Sequence, residues 1–354
     1  MEYEEKERIL YSQVFNRLPV CVYKASGSQV WDVEGRRYLD FYSGIAVCNV
    51  GHCHPRVTKA LTEQAQTLVH TSNWVYTKPQ LELAEKLTRL SGLDRVFYTN
   101  SGSESVETAI KIARKMTGRE EIISCEKSFH GRTLGALSLT WKKEYRKPFE
   151  PLTPGASFIE YNNIEALKEA VSSDTAAFIV EPIQGEAGVL PASEGYLKAC
   201  RDITEDAGAL LILDEVQTAF GRAGEWFMFK REGITPDVVC LAKGLGGGYP
   251  IGACLFAEGV DFDKGQHGGT YAGSPLACKV ADTVIEVINE EGLLENSKTR
   301  GQELREKIRD IGFDVRGLGL MNAFEAEGRK TVEDLLDVGV LTINSGEAVR
   351  LLPA

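Results

Sequence analysis

The period of the apolar residues changes twice along this chain of 354 residues. Between Val30 and Phe41 apolar and polar residues alternate in two short runs about Glu34-Gly35, which predicts a hairpin. Pro55 then opens a stretch with Val57, Ala60, Leu61, Ala65 and Leu68 on one helical face, and proline is well placed at a first helical position. From about residue 95 the order becomes strand, loop, helix, repeated. Strands are predicted over Arg95–Tyr98, Ile122–Cys125, Ala176–Val180, Ala209–Leu213 and Val238–Leu241, with amphipathic helices such as Glu194–Ala207 between most of them. Runs this continuously apolar imply a largely parallel sheet covered on both faces, with ligands beyond the carboxyl ends of its strands. After about residue 280 two charged helices (Lys279–Glu290, Leu293–Asp310) precede shorter elements: strands near Phe313–Arg316 and Met321–Glu325, a helix over Val332–Asp337, and strands near Val340–Ile343 and Val349–Leu352. This is the pattern of a smaller α/β lobe completed by the N-terminal hairpin. The expected division is residues 1–50 in the small lobe, 51–280 in a large lobe and 281–354 again in the small lobe.

Composition narrows the function classes. A hydrophobic fraction of 43% and a charged fraction of 26% are ordinary for globular proteins. The net charge of −11 argues against a general binder of nucleic-acid backbones, but an anionic cofactor can still be held by local backbone dipoles. The charged N-terminus lacks the apolar core of a signal peptide, and no apolar run approaches the roughly 20 residues that span a bilayer. The eight cysteines are scattered without a Cys-x-x-Cys pair and read as reduced core residues. A cytoplasmic protein without nucleic-acid or membrane partners is expected. His52 and His54 alternate like metal ligands, but no further ligand cluster completes a site, so no metal is expected; a turn before Pro55 accounts for them.

Three segments carry candidate chemistry. Thr99-Asn100-Ser101-Gly102-Ser103-Glu104 leads from a strand into a predicted helix over Val106–Met116. Ser101 and Glu104 have capping-box spacing, and the free amides with the Ser101 and Ser103 hydroxyls offer an anion site at the positive end of the helix dipole. Alone, this is equally an ordinary capped helix. Second, Asp214 and Glu215 end the apolar run Leu211-Ile-Leu, where a buried acid is costly unless paired. A protonated pyridine nitrogen, a metal ion or a core arginine would each serve as partner. Third, Lys243 follows Val238–Leu241, and burial would depress its pKa and free the amine for Schiff-base chemistry. The glycines after it do not open a helix, which rejects a dinucleotide loop. A phosphate cradle, a carboxylate for a ring nitrogen and a Schiff-base lysine on strand ends together match what pyridoxal 5′-phosphate requires.

At these residues the chain resembles the class III (ornithine-type) aminotransferases of pyridoxal-phosphate fold type I. The matching motifs are Gly51-His-Cys-His-Pro55, Asn100-Ser-Gly-Ser-Glu104, Ser128-Phe-His-Gly-Arg-Thr133, Glu181-Pro-Ile-Gln-Gly-Glu186, Leu213-Asp-Glu-Val-Gln217, Ala242-Lys-Gly244 and Gly269-Thr-Tyr271. The resemblance runs from about Leu18 onward. It implies a seven-stranded, mostly parallel sheet between helices, and a homodimer with active sites at its interface.

The resemblance also implies roles. Ser101, Gly102 and Ser103 hold the cofactor phosphate, and Thr270 reaches the phosphate of the partner subunit. Phe129 stacks on the ring, Asp214 pairs with its nitrogen, Glu215 and Val216 join the cofactor contacts, and Gln217 lies near its phenolic oxygen. Lys243 forms the Schiff base and then, as a free amine, shuttles the proton. Arg132 takes a distal substrate carboxylate, Arg350 clamps the α-carboxylate of glutamate, and Glu186 pairs with Arg350 when other substrates occupy the site. Gly269 stands where many relatives have a substrate-touching serine, so one contact is expected to be missing. Relatives continue beyond the position of Ala354 through a further strand and helix, so a short end to the small lobe is expected. Ile45 stands where enzymes acting on free ornithine tend to place a tyrosine, so the resemblance points to an N-acylated ornithine or lysine-type amino donor, acetylated or carrier-linked, and 2-oxoglutarate as acceptor. Ornithine or 4-aminobutyrate transamination, a 2,1-aminomutase, and a non-catalytic relative are the rival readings.

Overall fold

The computed structural model describes residues 2–354. Its largest sheet has seven strands, numbered here in chain order: β1 (Arg95–Thr99), β2 (Glu121–Cys125), β3 (Ala156–Ile159), β4 (Thr175–Val180), β5 (Leu210–Asp214), β6 (Val238–Leu241) and β7 (Gly252–Phe256). Their order is β1-β7-β6-β5-β4-β2-β3. The pairings of β2 through β6 are parallel, whereas β7 is antiparallel to both β6 and β1. Six strands therefore point one way, and Asp214, the segment after Leu241 and the segment after Thr99 emerge on the same edge. The reversed β7 brings its first residue, Gly252, there, opposite Thr99.

The alternation of side chains along buried strands explains the layering. Ile179, Ile212 and Val238 face one side, against Val106, Ala109, Ile110 and Ala113 on one stripe of the helix Gly102–Thr117. Phe178, Val180, Leu211, Leu213, Val239 and Leu241 face the other, against Leu83 and Leu87 of the helix Lys78–Ser91 and Val284 and Ile288 of the helix Pro275–Glu290. Each fully buried aliphatic side chain of this kind contributes about 1.5–3 kcal/mol. Every residue of β4 is buried, as expected of a central strand. The half-exposed edge strand β3 was not anticipated from the sequence, because Ala-Ser-Phe-Ile is too short and too polar to register.

Besides a two-stranded ribbon of Ile183–Gln184 and Leu190–Pro191, two four-stranded sheets lie outside this layer. Val22–Ser26, Gln29–Asp32 and Arg37–Asp40 run antiparallel, and Val340–Leu341 joins parallel to Arg37–Asp40, so the N-terminal hairpin is completed by a C-terminal strand. Val315–Leu318, Met321–Glu325, Ala348–Leu351 and Ile343–Ser345 form the other. The single strand expected over Val340–Ile343 is thus divided between two sheets, at the buried Thr342, whose hydroxyl donates to Arg350 O. The strand expected from Phe313 starts at Val315 instead, because Phe313 belongs to the turn that ends the helix Leu293–Asp310.

Ser43, Gly44, Ile45 and Ala46 all have left-handed φ, at 48°, 63°, 66° and 58°. For each of the three non-glycine residues this conformation costs about 1–2 kcal/mol, so it persists only where its surroundings impose it.

Gly301 packs the helix Leu293–Asp310 directly on the turn at Gly319: a Cβ there would lie 1.8 Å from Gly319 O. Since the obstacle is backbone, Gly301→Ala is expected to destabilise the fold by about 1–3 kcal/mol. A lower midpoint in thermal unfolding checks this, and an unchanged midpoint would contradict the packing.

Candidate active site

A cavity of about 340 Å³ opens where the strands end. Ser101, Gly102 and Ser103 line it from the helix Gly102–Thr117, Asp214, Val216 and Gln217 from the end of β5, Lys243 from the end of β6, and Phe129 and Glu186 from loops. Residues spread over 142 positions of sequence thus converge because they all follow strands of one direction.

The helix start is built as its residues dictate. Ser101 Oγ accepts from Glu104 N at 3.3 Å, and the Glu104 carboxylate accepts from Asn100 N at 2.6 Å. The first amides of a helix have no intrahelical acceptor and carry partial positive charge, so this end can hold an anion. Gly102 is required by contact: a Cβ would sit 2.8 Å from Val216 Cγ1. Gly131, at φ 137°, is required twice over, since its Cβ would meet Ser103 Oγ at 2.3 Å. Buried Ser105 ties this turn to the strand before Lys243, with Oγ 3.0 Å from Leu241 O and 2.8 Å from Thr99 Oγ1.

Asp214 is 5% exposed. Its Oδ2 lies 2.7 Å from His130 Nδ1 and its Oδ1 accepts from Val216 N at 3.1 Å. A carboxylate has about four acceptor sites, so capacity remains for a donor in the cavity. His130 was quoted in a motif but given no role by the sequence reading; nothing marks a lone histidine 84 residues from its partner. Glu181 was passed over likewise. It accepts from Phe129 N at 2.9 Å and from Gly185 N at 3.3 Å, joining the loops that carry Phe129 and Glu186. Burial pushes the Glu181 carboxyl up to about 7.

Lys243 has φ 44°, a left-handed conformation rarely tolerated outside functional sites. Burial lowers its amine below the ordinary lysine value; Glu186 and Asp214 oppose the shift, and Arg350 reinforces it.

Not all expected site residues face this cavity. Glu215 does not line the cavity, and its side chain bonds elsewhere. Its carboxylate accepts from Met228 N at 2.9 Å, Phe229 N at 3.1 Å and Thr218 Oγ1 at 2.9 Å, securing the start of the short helix Met228–Arg231. Burial raises it to about 7. Arg132 stands outside with its guanidinium 3.6 Å from the centre of the Tyr145 ring. Gly269 and Thr270 lie on an exposed turn, pinned by Asn73, whose Nδ2 donates to Ala272 O at 2.9 Å. Arg350 is buried at the rim, and its Nη1 meets Glu186 Oε1 at 2.7 Å. His52 and His54 pair with Asp40 and Glu291, at 2.6 and 3.1 Å.

The cavity fits pyridoxal phosphate on its own features. The helix start offers an anion cradle, Asp214 a carboxylate with free acceptor sites, and Lys243 an amine of lowered pKa. Gln217 contributes a buried Oε1 without a partner.

The "Aminotransferase class-III" family profile matches residues 11–354. The acetylornithine aminotransferase of Archaeoglobus fulgidus is 46% identical over 357 residues, covering 100% of this chain and 95% of the relative. A Pyrococcus horikoshii protein, described as a putative [LysW]-aminoadipate semialdehyde/glutamate semialdehyde transaminase, is 44% identical over 335 residues, covering 94% and 90%. Among solved structures, the ornithine aminotransferase of Toxoplasma gondii, which has pyridoxal phosphate in partial occupancy at its active site, superposes with a TM-score of 0.96 at 33% identity, covering 99% of this chain and 88% of that one. The chain belongs to the class III aminotransferases. It is a transaminase that works through pyridoxal phosphate on the fold type I scaffold.

Removing the anion that most opposes the lysine shift should lower the Lys243 pKa further, because an ammonium loses support when a neighbouring carboxylate goes. In cofactor-free Glu186→Ala, the pH midpoint of Lys243 labelling by cyanate, read by mass spectrometry, is expected at lower pH than in the parent. A midpoint moved upward would contradict the electrostatics described.

Proposed function

We propose that this enzyme moves the amino group of an N-acylated ornithine, N2-acetylornithine first, to 2-oxoglutarate, giving the semialdehyde and glutamate in amino-acid (arginine or lysine) biosynthesis. The observation that carries the reading is the convergence of Lys243, Asp214 and the Ser101–Ser103 turn on one cavity whose rim bears the Glu186–Arg350 pair. Bound there, pyridoxal phosphate supplies an aldehyde for the substrate amine and a ring that withdraws electrons from the adjacent carbon. Ser101, Gly102 and Ser103 would hold its phosphate, and Asp214, kept in place by His130, would hold its ring nitrogen protonated. Phe129 and Val216 would flank the ring, and Gln217 would donate near its phenolic oxygen. Lys243, as a neutral amine, would carry the proton between the substrate Cα-equivalent carbon and the cofactor C4′.

Glu186 and Arg350 act as a charge gate in this reading. With the pair closed, as here at 2.7 Å, the site accepts a donor without a carboxylate beside the reacting carbon. With Glu186 withdrawn, Arg350 is free to take the α-carboxylate of glutamate in a bidentate contact. Arg132 serves a distal carboxylate, and Gly269, on its exposed turn, lacks the substrate contact that a serine would make.

We assign residues 51–280 to a cofactor-binding domain and residues 1–50 with 281–354 to a smaller one, on the ground that Val340–Leu341 pairs with Arg37–Asp40. A homodimer is part of the same reading: Thr270 is exposed, and Trp74 and Tyr76, next in sequence to the Asn73 that pins its turn, are 94% and 93% exposed, a composition suited to a covered surface. All eight cysteines are free, which suits a cytoplasmic setting, and among the described residues no helix is long and apolar enough to cross a membrane. A carrier-linked donor is the second reading, favoured by the likeness to the Pyrococcus horikoshii protein.

Steady-state assays with acetylornithine, ornithine, 4-aminobutyrate and a carrier-linked donor decide among these. The highest kcat/KM is expected for acetylornithine, and a preference for free ornithine would overturn the reading. Lys243→Ala should lower turnover about a thousandfold or more. Glu186→Ala should change the ratio of the two half-reactions, and an unaltered ratio would remove the gate.

A further inference from the structure

The left-handed turn Ser43–Ala46 has no part in the chemistry so far, yet Val47, the next residue, lines the cavity beside Lys243. Its hydrogen bonds explain how four such residues are held in sequence. Asp40, 2% exposed, accepts from Tyr42 N and Ser43 N through Oδ1, at 2.8 Å each, which sets the entry to the turn. Its Oδ2 lies 2.6 Å from His52 Nε2. The turn closes on itself through Ala46 N to Tyr42 O and Val47 N to Ser43 O, at 3.1 and 2.9 Å. His52 is fixed in turn by paired backbone hydrogen bonds with Gly27, at 2.9 Å each. Ala46 is buried in one apolar cluster with Ile183, before the loop of Glu186, and Leu352, just after the strand of Arg350.

The same side chains supply little stability of the ordinary kind. Ser43 Oγ is buried without a partner, and the conformation is one that serine, isoleucine and alanine avoid. A strained turn, braced by a partly buried ion pair next to a substrate-sized cavity, is the signature of a position fixed for recognition. His52 is an imidazolium at neutral pH, since its hydrogen bond to Asp40 raises it to about 10.

We propose that Asp40 and His52 form a clasp that holds Ser43–Ala46 left-handed and so fixes Val47 in the wall that reads the amino donor, making the pair positioning residues for donor recognition and not for cofactor binding. This rests on the reading that the donor passes this wall. The pair itself touches neither substrate nor cofactor.

Kinetics of the holoenzyme test it. His52→Ala is expected to raise KM for the preferred donor about tenfold while kcat stays within about twofold, since a misplaced wall costs binding before chemistry. Cofactor affinity and the visible absorption band should not change. His52→Gln keeps a side-chain N–H for Asp40 and should restore KM in large part. Adding Ser43→Gly to His52→Ala should restore it by another route, because glycine adopts the left-handed conformation without the clasp. An unchanged KM in a folded His52→Ala, a parallel fall of kcat and cofactor affinity, or loss of fold without recovery by Ser43→Gly would each overturn the proposal. The donor preference of the unsubstituted enzyme tests the substrate reading separately: the clasp is read as a change in KM for whichever donor that enzyme prefers.

Discussion

An ammonium group deprived of water is the constraint around which the rest of the site is arranged. Lys243 stands at the end of β6 in a left-handed conformation, with its side chain in a cavity where burial favours the neutral amine. Burial alone would leave an uncharged, unoriented group. Glu186 and Asp214 limit the shift, and Arg350 works with burial. The amine therefore lies between two anions and a cation, and any change in the Glu186–Arg350 pair is felt at the lysine as well as at the rim. In the proposed function, one electrostatic arrangement would thus link proton transfer to substrate choice.

The sheet makes this arrangement possible. A carboxylate, an amine and a helix start can meet only if strands of the same direction deliver them to one edge, and the parallel pairings from β2 to β6, with the reversed β7 setting β1 in the same direction, do so. The cost is that several polar groups are buried together. Asp214 lies close enough to raise the proton affinity of Glu181, and His130 counters it. The glycines at 102 and 131 show how tightly the loops are drawn together, since either would collide with a neighbour if given a side chain.

How much of this was legible in the sequence follows from the range of each interaction. The apolar runs that became β4, β5 and β6 were plain, because central strands buried on both faces admit almost nothing polar. Asp214 and Lys243 stood out for the same reason, as charges placed at the ends of such runs. The Ser101–Glu104 cap is a contact over three residues and could be read directly. The Asp214–His130 pair could not, since it spans 84 residues and a lone histidine has many uses. The contacts of the Glu215 side chain were equally illegible, because its donors, Met228 N and Phe229 N, stand at a helix start whose return path no local pattern records. The left-handed turn at Ser43–Ala46 was equally hidden, for only one of its four residues is glycine. The backbone there is set by Asp40 and His52, not by the residues that adopt it.

Borohydride reduction of the holoenzyme, followed by proteolysis and mass spectrometry, tests the central claim most directly. The account predicts the reduced cofactor attached to the peptide containing Lys243, with loss of the visible absorption near 400 nm that general cofactor chemistry assigns to the unreduced linkage. Attachment to another lysine, or no attachment to a protein that carries the cofactor, would contradict it.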